Sequence, residues 1–206
     1  MSLKSSVRKP IRELFIAAKY LDAAVDAHIL GDLKMASSLF KLADMSVLRD
    51  WTESHWGANT EYKNIIGKDD SVPELPKDQR VEVRMPSKEQ KRALYLRDGF
   101  HCRFCGVPVI RKEVRDELRK HYPNEIPWGR SNAEQHSAFQ ALWLQYDHLL
   151  PHSRGGDNSL ENVAITCAPC NYVRMSNLII EMGLSNPLDR ASVKSEWAGL
   201  ERLLDQ

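Results

Sequence analysis

A chain of 206 residues with a formal net charge of +1, 42% hydrophobic and 28% charged residues and no low-complexity tract has the composition of a soluble globular protein rather than a disordered one. No run approaches the roughly 18 apolar residues of a membrane span, and the polar, basic opening MSLKSSVRKP has no apolar stretch behind it, so a cytoplasmic protein without a membrane partner is expected. The near-neutral net charge argues against a nucleic-acid partner, but between Arg84 and Arg130 twelve Lys/Arg stand against six Asp/Glu. Such a basic run is either a phosphate-binding face or a set of solvated helix surfaces.

From Ile11 the apolar residues Leu14, Phe15, Ala18, Leu21, Val25 and Ile29 recur at helical spacing behind Pro10. Gly31-Asp32 breaks and re-caps the chain, and Leu33, Ala36, Leu39, Phe40, Ala43 and Val47 predict a second helix. The two read as a helical hairpin within an N-terminal helical region, residues 1–70. That region carries ten basic and ten acidic side chains, so it is read as a packing element or a surface for a second copy or another protein.

Residues 71–86 hold Pro73, Pro76 and Pro86 among charged residues, the composition of a linker. Ser87 with Gln90 forms a capping-box pattern that opens a helix over Lys88–Arg97, ended by Asp98-Gly99. The third region, 87–183, contains a helical insert at about 107–145. Within it residues 110–121 look helical, Pro123 and Pro127 break the pattern, and Ser131 with Glu134 caps a further helix to about Trp143. Strands are predicted through Tyr146–Leu149 and Val163–Thr166, with a helix from Ala168. A tail, 184–206, closes with a helix over Ser192–Leu204 that carries Trp197, Leu200 and Leu204 on one side.

All four cysteines fall in two C-x-x-C pairs, Cys102/Cys105 and Cys167/Cys170. Two such knuckles supply the tetrahedral thiolate set of a structural Zn²⁺, with no position left for water. Two disulfides would suit an oxidising compartment instead, and a redox dithiol has no need to occur twice.

The second half reads Tyr146-Asp147-His148-Leu149-Leu150-Pro151, then Ser153-Arg154-Gly155-Gly156, then Glu161-Asn162-Val163, then Cys167-Ala168-Pro169-Cys170-Asn171. In order, and between matched cysteine pairs, these resemble the HNH nuclease family over roughly Ser87 to Met182. The resemblance implies an α+β, mostly helical protein in which the helical hairpin precedes a zinc-stapled ββα-metal core. It also implies a divalent-metal-dependent endonuclease acting on DNA, with the duplex as expected substrate.

Residue by residue, Asp147 would give a carboxylate oxygen to Mg²⁺ or Mn²⁺, His148 would be the general base, Asn162 would orient the imidazole, and Asn171 would be the second ligand. The family's third position is often His, so this is an H-N-N variant. Arg154 and Arg174 are candidate phosphate contacts. The alternative is an inactive zinc-containing module that binds DNA or recruits a partner; RNA as substrate is disfavoured but open.

Overall fold

The computed structural model describes residues 3–56 and 67–205. Residues 57–66, which the sequence places in the N-terminal helical region, lie outside the described residues. The elements are α1 (Arg12–Ile29), α2 (Leu33–Ala43), α3 (Ser46–Trp56), α4 (Lys88–Asp98), α5 (Lys112–His121), α6 (Ser137–Ala141), β1 (Leu144–His148), β2 (Val163–Cys167) and α7 (Ala168–Arg174). The fold is α+β and mostly helical, as expected.

Helix α1 buries Leu14, Ala18, Leu21 and Val25, one face at three- and four-residue spacing. Asp32 opens α2 by accepting the Met35 amide at 3.0 Å. Periodicity carries this helix to Val47, whereas the structure ends it at Ala43 and starts α3 at Ser46. The break sits at Asp44. Its carboxylate accepts the Ser137 amide at 2.8 Å and the Arg49 guanidinium at 3.3 Å, side-chain bonds that compete with helical continuation. The expected hairpin is therefore the first part of a three-helix set.

These helices pack against the rest of the chain. α1 lies on α2 and α6, and α3 lies on α6 and α7. Buried His136 donates from Nε2 to the Phe40 carbonyl at 2.9 Å, and Arg49 donates to the carbonyls of Asn132, Ala133 and Gln135. The buried faces of these helices are thus spent inside this molecule, the packing role expected of the region.

The Ser87/Gln90 capping box forms and opens α4 as the sequence predicts. The Ser131/Glu134 box also forms, but it opens only a single 3₁₀ turn, Asn132–Glu134. Gln135 then turns extended and bridges to Trp128, and helix resumes only at Ser137, so the expected continuous helix to Trp143 is two short pieces. The helix expected over Ser192–Leu204 is also absent, replaced by a 3₁₀ turn at Glu201–Leu203. Packing decides this. The Trp197 indole donates to the Val109 carbonyl at 3.1 Å. Gly199, at φ +68°, lies so close to Phe100 that a Cβ there would stand 2.3 Å from the ring. Leu200 follows at φ +65° and is fully buried. These tertiary contacts outweigh helical propensity.

β1 and β2 form one antiparallel pair with register from Leu144↔Cys167 to His148↔Val163. α7 follows β2 directly, with Pro169 in its first turn, where a missing N–H costs nothing. This ββα unit sets the end of β1 beside α7. No helix among the described residues is long and apolar enough to cross a membrane.

Candidate metal centre and active site

The first knuckle lies between α4 and α5, and the second spans the β2–α7 junction. Gly106 donates its amide to the Cys102 carbonyl at 2.8 Å, closing the first turn, and Arg103 N–H reaches the Ile165 carbonyl at 2.8 Å, tying that turn to β2. The Sγ atoms of Cys102, Cys105, Cys167 and Cys170 all lie within 4.8 Å of one another, with Cys105 and Cys167 3.7 Å apart. Thiolates on a tetrahedral zinc at about 2.3 Å stand about 3.8 Å from each other, so the four cysteines fit such an ion.

Their acidities are split. Burial pushes Cys102 up, but hydrogen bonds from the other three thiols carry it well below the usual thiol range, whereas burial and the Cys102 and Cys105 sulfurs push Cys167 up. A bound cation would supply the charge that ionises the thiols together.

Asp98 holds this knuckle in place. Fully buried at the end of α4, its carboxylate accepts Arg97 Nε at 2.7 Å, Arg97 Nη2 at 2.6 Å and the Ile165 amide at 3.0 Å, with Arg103 Nε at 3.6 Å.

At the other end of the strand pair, Asp147, His148, Asn171 and Arg174 border one cleft of about 990 Å³. Asp147 is 3% exposed, and both its oxygens bond to the Arg174 guanidinium. Arg174 also donates to the carbonyls of His148, Leu149 and Asn177. Every N–H of Arg174 is therefore engaged within the protein, so its expected role as a phosphate contact is corrected: it is the counter-charge a buried carboxylate needs. Arg154 is corrected likewise, since it is buried in an ion pair with Glu181 at 3.0 Å and bonds the Val72 carbonyl.

His148 is 8% exposed, and burial lowers its pKa by more than its Asn158 hydrogen bond and the Asp147 charge raise it. The imidazole is consequently neutral at pH 7, the form a base requires. The ring is bonded at Nε2 to Asn158 Oδ1, 2.9 Å away, not to Asn162. Asn162 instead accepts the Leu150 amide at 2.7 Å and donates to the carbonyls of Leu150 and Asp157, clamping the loop after β1. Gly156 completes that clamp, because a Cβ there would stand 1.8 Å from the Leu150 carbonyl oxygen. Asn162 thus positions the loop that follows His148, and the expectation that it touches the imidazole is corrected.

Asn171, on α7, has no side-chain hydrogen-bond partner among the described residues. A carboxylate offers about four acceptor positions, and Arg174 takes two of those on Asp147. Asp147 and Asn171 therefore retain hard oxygen acceptors on the same cleft, the donor type Mg²⁺ or Mn²⁺ prefers.

Sequence reasoning missed three cleft residues, Lys77, Arg84 and Lys91, none of which has a carboxylate partner among the described residues. Lys77 and Arg84 belong to the proline-rich stretch read as a linker, which lies against the loop after β1 through Leu75 N–H to the Ser153 carbonyl at 2.7 Å and His152 Nε2 to the Val81 carbonyl at 2.8 Å. Only the basic run that starts at Arg84 could have singled out Arg84 and Lys91, and Lys77 lies outside it.

A small antiparallel pair feeding a helix, stapled by four cysteines and ending in Asp-His over a basic cleft, defines a ββα-metal unit. Residues 137–173 match the family model described as HNH endonuclease, so this stretch, from α6 through most of α7, is an HNH segment. The match is narrower than the span from Ser87 to Met182 over which the sequence resembles that family. No curated protein and no solved structure matches the chain.

Proposed function

We propose that this protein is a metal-dependent endonuclease that hydrolyses phosphodiester bonds in double-stranded DNA. The observation that carries the reading is the meeting of a buried, neutral His148 with Asp147 and Asn171 on one cleft whose cations Lys77, Arg84 and Lys91, none with a carboxylate partner among the described residues, suit a phosphate backbone.

In this reading His148 takes the proton from the attacking water. Lys77, Arg84 and Lys91 hold flanking phosphates and set the register of the strand. Asn162 and Gly156 fix the loop after β1, so the imidazole meets the scissile phosphate in one orientation. Burial pushes the Asp147 pKa up, and Arg174 opposes that shift while fixing the carboxylate. A divalent cation, Mg²⁺ or Mn²⁺, held by Asp147 and Asn171 would neutralise charge on the phosphate and the leaving oxygen. The four-cysteine site stays structural, since four thiolates leave no position open for water.

Cleavage of supercoiled plasmid by wild type and His148→Ala, each with Mg²⁺, Mn²⁺ or EDTA, tests the proposal. Nicking or linearisation by the wild type only with a divalent cation, lost by about 10²–10⁴-fold in the variant, supports it. Absence of cutting under every condition, with DNA binding retained in both proteins, replaces it with a DNA-binding module.

A further inference from the structure

The imidazole of His148 is held by a side chain that is itself oriented by the proline-rich stretch before α4. Asn158 Nδ2 lies 2.6 Å from the Val83 carbonyl oxygen, and its Oδ1 lies 2.9 Å from His148 Nε2. A carbonyl oxygen only accepts, so the amide nitrogen of Asn158 must face Val83 and its oxygen must face the ring. That oxygen also only accepts, so Nε2 must carry the ring proton. A neutral imidazole has a single N–H, which leaves Nδ1 as the bare, basic nitrogen. Nδ1 has no protein partner among the described residues.

We propose that Asn158 is the positioning residue of His148: it selects the Nε2–H tautomer, and the Val83 carbonyl selects the orientation of Asn158, so the segment around Val83 belongs to the active site. The inference rests on His148 being the general base, but the tautomer can be read without turnover. The opposite tautomer sets the Nε2 lone pair against the Oδ1 lone pair, a contact with no hydrogen between them.

The geometry around Asn158 leaves little room for a purely structural explanation. The half-buried side chain contributes nothing to the core, and the Asn158 backbone carbonyl, not the side chain, takes the Gln90 amide at 2.8 Å. Removing the side chain leaves the fold-bearing bonds of this loop to Asn162.

Asn158→Ala and Asn158→Asp in the zinc-loaded 206-residue chain test the proposal, with imidazole ¹⁵N NMR of His148 read beside cleavage kinetics. The wild type is expected to show a protonated Nε2 and a bare Nδ1. Asn158→Ala is expected to show exchange between tautomers and a kcat lower by about 10–100-fold, the usual effect of removing an orienting partner, with KM unchanged. Asn158→Asp keeps an acceptor for Nε2–H but sets a carboxylate oxygen against the Val83 carbonyl, so it is expected to hold the proton on Nε2 while restoring only part of kcat. An unchanged ¹⁵N spectrum in Asn158→Ala, or cleavage by that variant at the wild-type rate, overturns the inference. Should the wild type not cleave at all, the nuclease reading fails, and the spectra alone still decide whether Asn158 sets the tautomer.

Discussion

Asp98 and Asp147 are both sealed from solvent and both paired with arginine, yet they are placed for different ends. Asp98 takes N–H groups from Arg97 and the β2 backbone and faces the Arg103 guanidinium as an ion pair at 3.6 Å, so it ties α4, the first knuckle and the strand pair together. Asp147 takes only Arg174, receives no backbone N–H, and lies on the wall of a basic cleft. A buried carboxylate whose acceptors are spent on its own scaffold is a staple. One that keeps acceptor capacity on a cleft wall, held by a single arginine, is available for chemistry. The contrast separates the two ends of the ββα unit into a four-cysteine metal-binding end and the cleft end proposed for catalysis.

The largest expected effect comes from breaking the staple's metal. Binding of a structural zinc contributes about 10–16 kcal/mol of apparent free energy in small zinc folds, so Cys167→Ser is expected to lose zinc and the cooperative thermal transition together. Zinc content and calorimetry on the same sample check this. Next in size, Asp98→Ala leaves Arg103 buried without its counter-charge and is expected to cost about 3–5 kcal/mol. Asp147→Asn sharpens the comparison, since it should abolish cleavage in a protein that still binds zinc. If Asp98→Ala kept full stability, or Asp147→Asn released zinc, the division between the two ends would be wrong.

Much of this division was legible in the sequence because its signals are local. A C-x-x-C pair makes its own knuckle, and the alternation around Tyr146–His148 and Val163–Thr166 marks two short strands. What was not legible depends on partners far along the chain. Arg154 and Arg174 advertise charge, but nothing near them announces Glu181 or Asp147, each 27 residues away. Asn158 and Asn162 sit in one loop, GDNSLEN, and only the path of that loop decides which amide meets the imidazole. The last helix failed for the same reason, because the packing of half-buried Trp197 and buried Leu200 overrode a pattern that is periodic on paper. Lys77 and Arg84 were hidden by proline-rich surroundings whose irregular backbone follows the cleft instead of spanning a gap.

Smaller effects follow from the cleft's rim and the core. Replacing Lys77, Arg84 and Lys91 with Gln is expected to weaken DNA binding without base preference and to lower the salt slope of binding by about one for each phosphate no longer neutralised. A titration of affinity against salt measures this, and an unchanged slope would remove these residues from the DNA path.

At neutral pH the least effect comes from His55 on α3, which burial lowers from 6.5 to about 4. The unfolded chain then binds more protons than the folded one between those values. Stability is therefore full above pH 6.5 and falls as pH drops towards 4, and His55→Gln should flatten this slope in urea unfolding across that window.

The most direct test of the central claim, two metal centres of opposite kind on one ββα unit, is brief EDTA treatment of the purified protein followed by stepwise return of metal, with zinc content and plasmid cleavage read together. Zinc is expected to remain bound while cleavage disappears, and cleavage to return with Mg²⁺ or Mn²⁺ alone. Cleavage that persists in EDTA with zinc bound, or that returns only when zinc is added, would contradict the claim.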